Sequence, residues 1–310
     1  MQLPQTLLID IPQDLKDLSD EQHKVLAECL RATLELGVRF NSKVILFSHV
    51  YALGAALDTW LQGSLLHNAR EDLVEQQQVL LNKLVSGLDA KGLTLETKVV
   101  WGKHLDDALV SAYGDNLPDL VIQPSQHHLF AASIIRQPNE WRMIRMPKVP
   151  VILQQKANAL RGRVLLTVDV GELEETQESN LAAIRKAKKW CEMTDSELHI
   201  INAFPSVADL MAFAPAEWTV PQIQSTLKEQ HSERLKKLAM DAGLLPDRAH
   251  VAEGQVAQVV DHFAEELDAN LVMISSHCRK GMQGFFIGNT AEIVLEQTKC
   301  NLLVLKPLEE

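Results

Sequence analysis

The chain has 310 residues, 46% hydrophobic and 23% charged, with a formal net charge of −11 at pH 7. So much apolar chain excludes a disordered polymer and supplies one large core or two ordinary ones. No run approaches the roughly 18 apolar residues of a bilayer span, and an acidic surface repels phosphate backbones, so neither membrane insertion nor direct nucleic-acid binding is expected.

The start, Met1-Gln2-Leu3-Pro4-Gln5, has no basic region followed by an apolar run and does not read as a secretory leader. Cys29, Cys191, Cys278 and Cys300 show no clustered spacing, so reduced thiols in the cytoplasm are expected. The first apolar run, Leu7-Leu8-Ile9, ends in Asp10 and reads as a buried strand. Ser19 and Gln22 have the spacing of a capping box. Val25, Leu26, Cys29, Leu30, Thr33 and Leu34 then mark the buried stripe of a helix, which Gly37 is expected to end. Further strands are expected at Val99-Val100-Trp101, at Asp119-Leu120-Val121-Ile122 and at residues 148–153. Residues 154–162 are polar and read as a linker, dividing a first domain, 1–156, from a second, 157–310, both net acidic.

Beyond the linker the pattern starts again, and this repetition organises the chain. Leu165-Leu166-Thr167-Val168-Asp169 echoes the first run at an offset of 159; residues 270–273 echo 119–122 and residues 299–304 echo 148–153, both at 151. The apolar runs of the second half, at 164–170, 198–204, 250–253, 271–275 and 302–306, are continuous, as in strands buried on both faces. Between them Thr219 and Gln222 open a helix that Gly243 stops, and Val256, Val259, Val260, Phe263, Ala264 and Leu267 lie on one face of another. Strand and helix alternating in this way call for an α/β fold: two tandem Rossmann-like, doubly wound domains, each with a five-stranded parallel sheet. Such sheets bind ligands beyond the carboxyl ends of their strands, so function is sought after the first and fourth strands of each half.

After the fourth strand of the second half, Ser275-Ser276-His277-Cys278-Arg279-Lys280-Gly281 leads through Gly284 and Phe286-Ile287-Gly288 to Asn289-Thr290-Ala291-Glu292. Asn289 and Glu292 have capping spacing, so a helix is expected to start at Asn289, where backbone N–H groups and the positive end of the helix dipole suit an anion. Gly288 removes a side chain where a phosphate would approach, and Arg279 and Lys280 add positive charge.

This loop resembles that of the universal stress protein family, whose nucleotide-binding members carry Gly, two residues, Gly, nine residues, then Gly followed by Ser or Thr. The frame falls on Ser275, Cys278, Gly288 and Asn289. The helix entry at 286–292, the strand Val99-Val100-Trp101 and the tandem arrangement look most like the family's E-type tandem members. The resemblance spans essentially the whole chain. It implies a stress-response protein (DNA damage, starvation) that acts by binding, with ATP or another adenine nucleotide, or a related small anion, as its ligand. It places Asp169 against the adenine and Ser275, Ser276, His277, Cys278, Gly288, Asn289 and Thr290 around the phosphates. The chain departs from the frame where Ser275 and Cys278 replace glycines and Asn289 replaces Ser or Thr; backbone amides at 276, 289 and 290 would remain. The resemblance also implies domains that pair through their last strands, here as an internal pseudo-dimer, with a homodimer as a further assembly.

In the first half the matching loop runs from Pro124-Ser125-Gln126-His127-His128 to Gln137-Pro138, and no glycine lies between Gly114 and Gly162. This copy is read as keeping the fold and losing the phosphate cradle. Asp169 can read an adenine amino group or cap the following turn; for Asp10 the turn is the reading. His127, His128, His277 and Cys278 are zinc-type ligands in equivalent loops, but adjacent residues rarely face one ion and no spaced motif is present, so no metal is expected. Cys278 is either an inert loop thiol or a redox-sensitive one beside Arg279. Trp101, Trp141, Trp190 and Trp218 are read as packing residues. The chain has no nucleophile elbow, no P-loop and no His-Glu-x-x-His pair, so no catalytic residue is assigned. The alternative class is a nucleotide-independent interaction protein whose pockets are vestigial or take an apolar ligand.

Overall fold

Each half of the chain contributes five parallel strands in the computed structural model, which describes residues 3–13, 15–53, 64–124, 138–146, 149–156, 159–170, 174–204, 206, 219–275 and 289–306. The contacts divide the chain into two units, residues 2–158 and 159–310. The first unit runs β1 (Thr6–Asp10), α1 (Asp20–Phe40), β2 (Lys43–Val50), α2 (Ser64–Ser86), β3 (Leu95–Trp101), α3 (Leu105–Tyr113), β4 (Leu120–Pro124), α4 (Pro138–Arg145) and β5 (Val151–Gln154). Its strands lie in the order β3-β2-β1-β4-β5. The second unit runs β6 (Arg163–Thr167), α5 (Glu174–Thr194), β7 (Glu197–Phe204), α6 (Val220–Asp241), β8 (Ala249–Glu253), α7 (Val256–Glu266), β9 (Ala269–Ser275), α8 (Asn289–Gln297) and β10 (Asn301–Leu305), in the matching order β8-β7-β6-β9-β10.

Continuous apolar strands demand cover on both faces, and the helices supply it. Alternation along β2 puts Val44 and Ser48 on the face covered by α1 and α2, where Gln77 of α2 reaches Ser48, and Phe47 on the other, against Tyr113 of α3. Arg142 of α4 ties that helix to α3 through Asp106 and Asp107, each at 2.8 Å. The second unit repeats this: α5 and α6 share one face, α7 and α8 the other. Every residue of β4, β5 and β10 is buried, and Trp190 of α5 is wholly inside.

The helix signals at Ser19, Gln22 and Gly243 have their expected local physics, and that at Gly37 does not. Ser19 and Gln22 form a reciprocal capping box at the start of α1. Gly243, at φ 67°, ends α6: its N–H reaches the Met240 carbonyl and the Leu244 N–H that of Ala239, the paired bonds of a Schellman motif. Gly37, expected to end α1, instead lies inside it, and the helix runs on to Phe40 with Asn41 as its left-handed cap. Packing explains the glycine: a Cβ there would stand 2.7 Å from Val44 Cγ2 and 3.1 Å from Leu93 Cδ1. The Gly37→Val substitution should therefore lower the unfolding free energy by about 2–3 kcal/mol through overpacking, read as an earlier urea midpoint at unchanged slope.

Candidate functional site

In the second unit the strand order reverses between β6 and β9, and the chain leaves β6 over the carboxyl edge through Val168, Asp169 and Val170. The two valines are buried and Asp169, between them, is exposed. Its main chain is pinned from behind by Asn180 of α5, itself buried: the Asp169 N–H donates to Oδ1 at 3.4 Å, and the Asp169 carbonyl accepts from Nδ2. Val168 donates to the Ile201 carbonyl at 3.0 Å and accepts from Asn202 Nδ2 at 3.0 Å. With the Asn202 amide nitrogen committed as donor, its Oδ1 accepts from His231 Nδ1 at 2.7 Å, which fixes the hydrogen of that imidazole on Nδ1. The His231 ring lies 5.3 Å from that of Phe204. Burial, with Arg234, holds His231 below the ordinary histidine range, and the nearby Asp169 carboxylate pulls it partly back.

Ser275 closes β9 on the neighbouring strand, so the structure brings Asp169 and Ser275 to one edge of the switch point. Asn289 and Thr290 are the first two residues of α8. Ser276, His277, Cys278 and Gly288 lie outside the described residues, as do His127, His128 and Trp218.

The first unit is not a copy of this edge. Its register equates Leu7 with Val164, since each pairs at the same step with β4 or β9, and therefore Asp10 with Thr167 and Pro12 with Asp169. The match of Asp10 to Asp169 read from the sequence is thus corrected by two residues. Asp10 ends β1 inside the core, where burial pushes its carboxyl above the ordinary range against the pull of His49 and Gln123. Ser48 and Gln77 take the places of Asn202 and His231, and both meet inward: Gln77 Nε2 donates to Ser48 Oγ at 3.0 Å and to the Pro12 carbonyl at 3.1 Å. Helix α4 begins with Pro138, which has no N–H to offer an anion.

Sequence reading missed Asn180, Asn202 and His231. Asn202 left a signal, a buried amide in the apolar run Ile200-Ile201-Asn202-Ala203-Phe204; Asn180 and His231 sit on helices whose polar residues look like solvent-facing ones. Cys29 and Cys191 are buried, their thiols pushed up to about 12 chiefly by burial, and Cys300 Sγ donates to the Ala269 carbonyl. Among the described residues no three His, Cys, Asp or Glu side chains are grouped to hold a metal, and no helix is long and apolar enough to cross a membrane.

Because Asn180 makes two hydrogen bonds to the main chain of Asp169, Asn180→Ala should cost about 1–3 kcal/mol by removing them, at roughly 0.5–1.5 kcal/mol each, measurable by urea unfolding. A substitution costing nothing would show that the turn is held by other means.

The sequence profile of the universal stress protein family matches residues 161–306. A Haemophilus influenzae protein described as a universal stress protein E homolog is 26% identical over 292 residues, 93% of this chain and 94% of its own. A universal stress protein of Methanocaldococcus jannaschii is 30% identical over 131 residues, 41% of this chain and 75% of that one. The solved structure of a universal stress protein from Archaeoglobus fulgidus matches the fold with a TM-score of 0.61 at 16% identity, covering 98% of each chain.

Proposed function

This chain belongs to the universal stress protein family, and on that premise we propose that it serves the stress response in the cytoplasm without catalysis, its second unit binding ATP or another adenine nucleotide. The observation that carries this reading is Asp169: an exposed carboxylate at the switch point, set between two buried valines on a main chain hydrogen-bonded to Asn180. A carboxylate so placed accepts hydrogen bonds from a nucleobase amino group, and the start of α8 offers backbone N–H groups and a positive dipole end to phosphates. The proposed ligand set is Asp169 with Ser275, Ser276, His277, Cys278, Gly288, Asn289 and Thr290. The first unit, with Pro12 and Pro138 at the equivalent positions, is proposed to bind none.

Isothermal calorimetry of the intact chain with ATP, ADP and AMP tests this. Saturable binding is expected, weakened about tenfold or more in Asp169→Ala, as befits a lost charge-assisted hydrogen bond. Folded protein that gives no heat at about millimolar nucleotide would remove the reading. It would leave the alternative, an interaction protein without a nucleotide, whose cue is the Cys278 side chain where the family frame has glycine. Under that alternative Cys278→Gly should create ATP binding; under the first it should change little.

A further inference from the structure

Strand β8 is the outer strand of the second unit and pairs only with β7 among the described strands. Its His250 meets His199 of β7 ring to ring: His199 Nδ1 and His250 Nε2 are 2.9 Å apart, with centroids 5.2 Å apart and planes inclined by 24°. One hydrogen must lie between those two nitrogens. Glu197 Oε2, 3.8 Å from His199 Nε2, favours the other hydrogen there, so Nδ1 accepts and His250 donates. Glu197 is itself engaged by Arg248 at 2.9 Å and Arg163 at 3.7 Å, which puts two cations behind the carboxylate nearest His199 Nε2 among the described residues. The Phe263 ring covers His250 at 5.2 Å, and the charges of Glu266 in α7 and Asp247 in the turn before β8 favour its protonated form against burial and His199. His199 is only 9% exposed.

We propose that the His199–His250 pair is an acid-operated latch that holds edge strand β8 in place and releases it when the pair takes up its second extra proton. The count of hydrogens gives the mechanism. The neutral pair carries two ring hydrogens, and one proton added at His250 Nδ1 leaves the N–H···N bond intact beside Glu266 and Asp247. A second must go onto His199 Nδ1, which turns an acceptor into a donor aimed at a donor and places two imidazolium charges in contact. Both rings sit below the ordinary histidine range, chiefly through burial. The unfolded chain therefore binds more protons than the folded one. The stabilisation is complete above about pH 6.5 and is lost as the pH falls through the folded values.

Release would be felt at the candidate site, whatever that site holds. The Gly254 N–H, at the end of β8, donates to the Phe204 carbonyl at 3.0 Å, and Phe204 lies against His231, which fixes Asn202. The latch and this arm are on opposite faces of β7, within five residues of each other.

Amide hydrogen exchange on the whole chain at about pH 7.5 and about pH 5, corrected for intrinsic rates, reads the latch directly. Residues 249–253 should lose protection about tenfold or more on acidification while β1 and β2 keep theirs. In His250→Gln, whose amide still donates but does not titrate, the loss should shrink to less than about threefold. Protection of β8 that is independent of pH, or that falls equally in His250→Gln, overturns the proposal. Should that variant fail to fold, the ring-proton NMR titration of the wild type decides: His199 and His250 titrating in two separated steps below about 6.5 support the latch, and two independent titrations near 6.5 overturn it.

Discussion

A parallel sheet buried on both faces leaves its strand ends as the place where polar chemistry can meet solvent. In both units the interiors of the strands are spent on Leu, Ile, Val and Phe, with helices over each face. Among the residues that differ in kind between the units are those at the carboxyl edge, where a side chain has room to be polar. Asp169, two residues beyond the end of β6, is exposed; Asp10, the last residue of β1, is buried.

The comparison of the two edges shows how one scaffold takes two chemical states. At the same depth on the second strand and its covering helix, one unit has Ser48 with Gln77 and the other Asn202 with His231. In the first the amide closes on the Pro12 carbonyl and Ser48, so the polar groups satisfy one another. In the second, Asn202 is divided between the Val168 carbonyl and the imidazole, which holds the main chain just before Asp169 and leaves the carboxylate outward. In both units the helix side chain donates to the strand side chain; what differs is the donor to the carbonyl after the first strand, the helix residue Gln77 in one unit and the strand residue Asn202 in the other.

Much of this was legible in the residues. Continuous apolar runs gave the parallel strands, the Ser19–Gln22 pair began α1 where expected, and Gly243 ended α6. What escaped was information that lives between elements. Gly37 carries the signature of a helix stop, but its cause is a valine on the next strand, which local pattern does not contain. The two-residue error in matching Asp10 to Asp169 has the same origin: both are carboxylates after an apolar run, and only pairing with β4 and β9 shows that one ends its strand and the other lies beyond it. Asn180 and His231 act through main-chain groups distant in sequence and so leave no motif.

The polar groups buried within the second sheet follow from the same constraint. A histidine inside a parallel sheet must find a partner, because an unpaired imidazole costs free energy in that setting. His199 finds His250 on the adjacent strand, and the pair couples the outer strand to its neighbour by a bond that depends on proton number as well as on packing. An apolar pair at these positions would hold β8 at every pH. Two imidazoles hold it only while one of the facing nitrogens keeps its lone pair, so the outer strand of this unit carries a condition on its own stability that the apolar strands beside it do not.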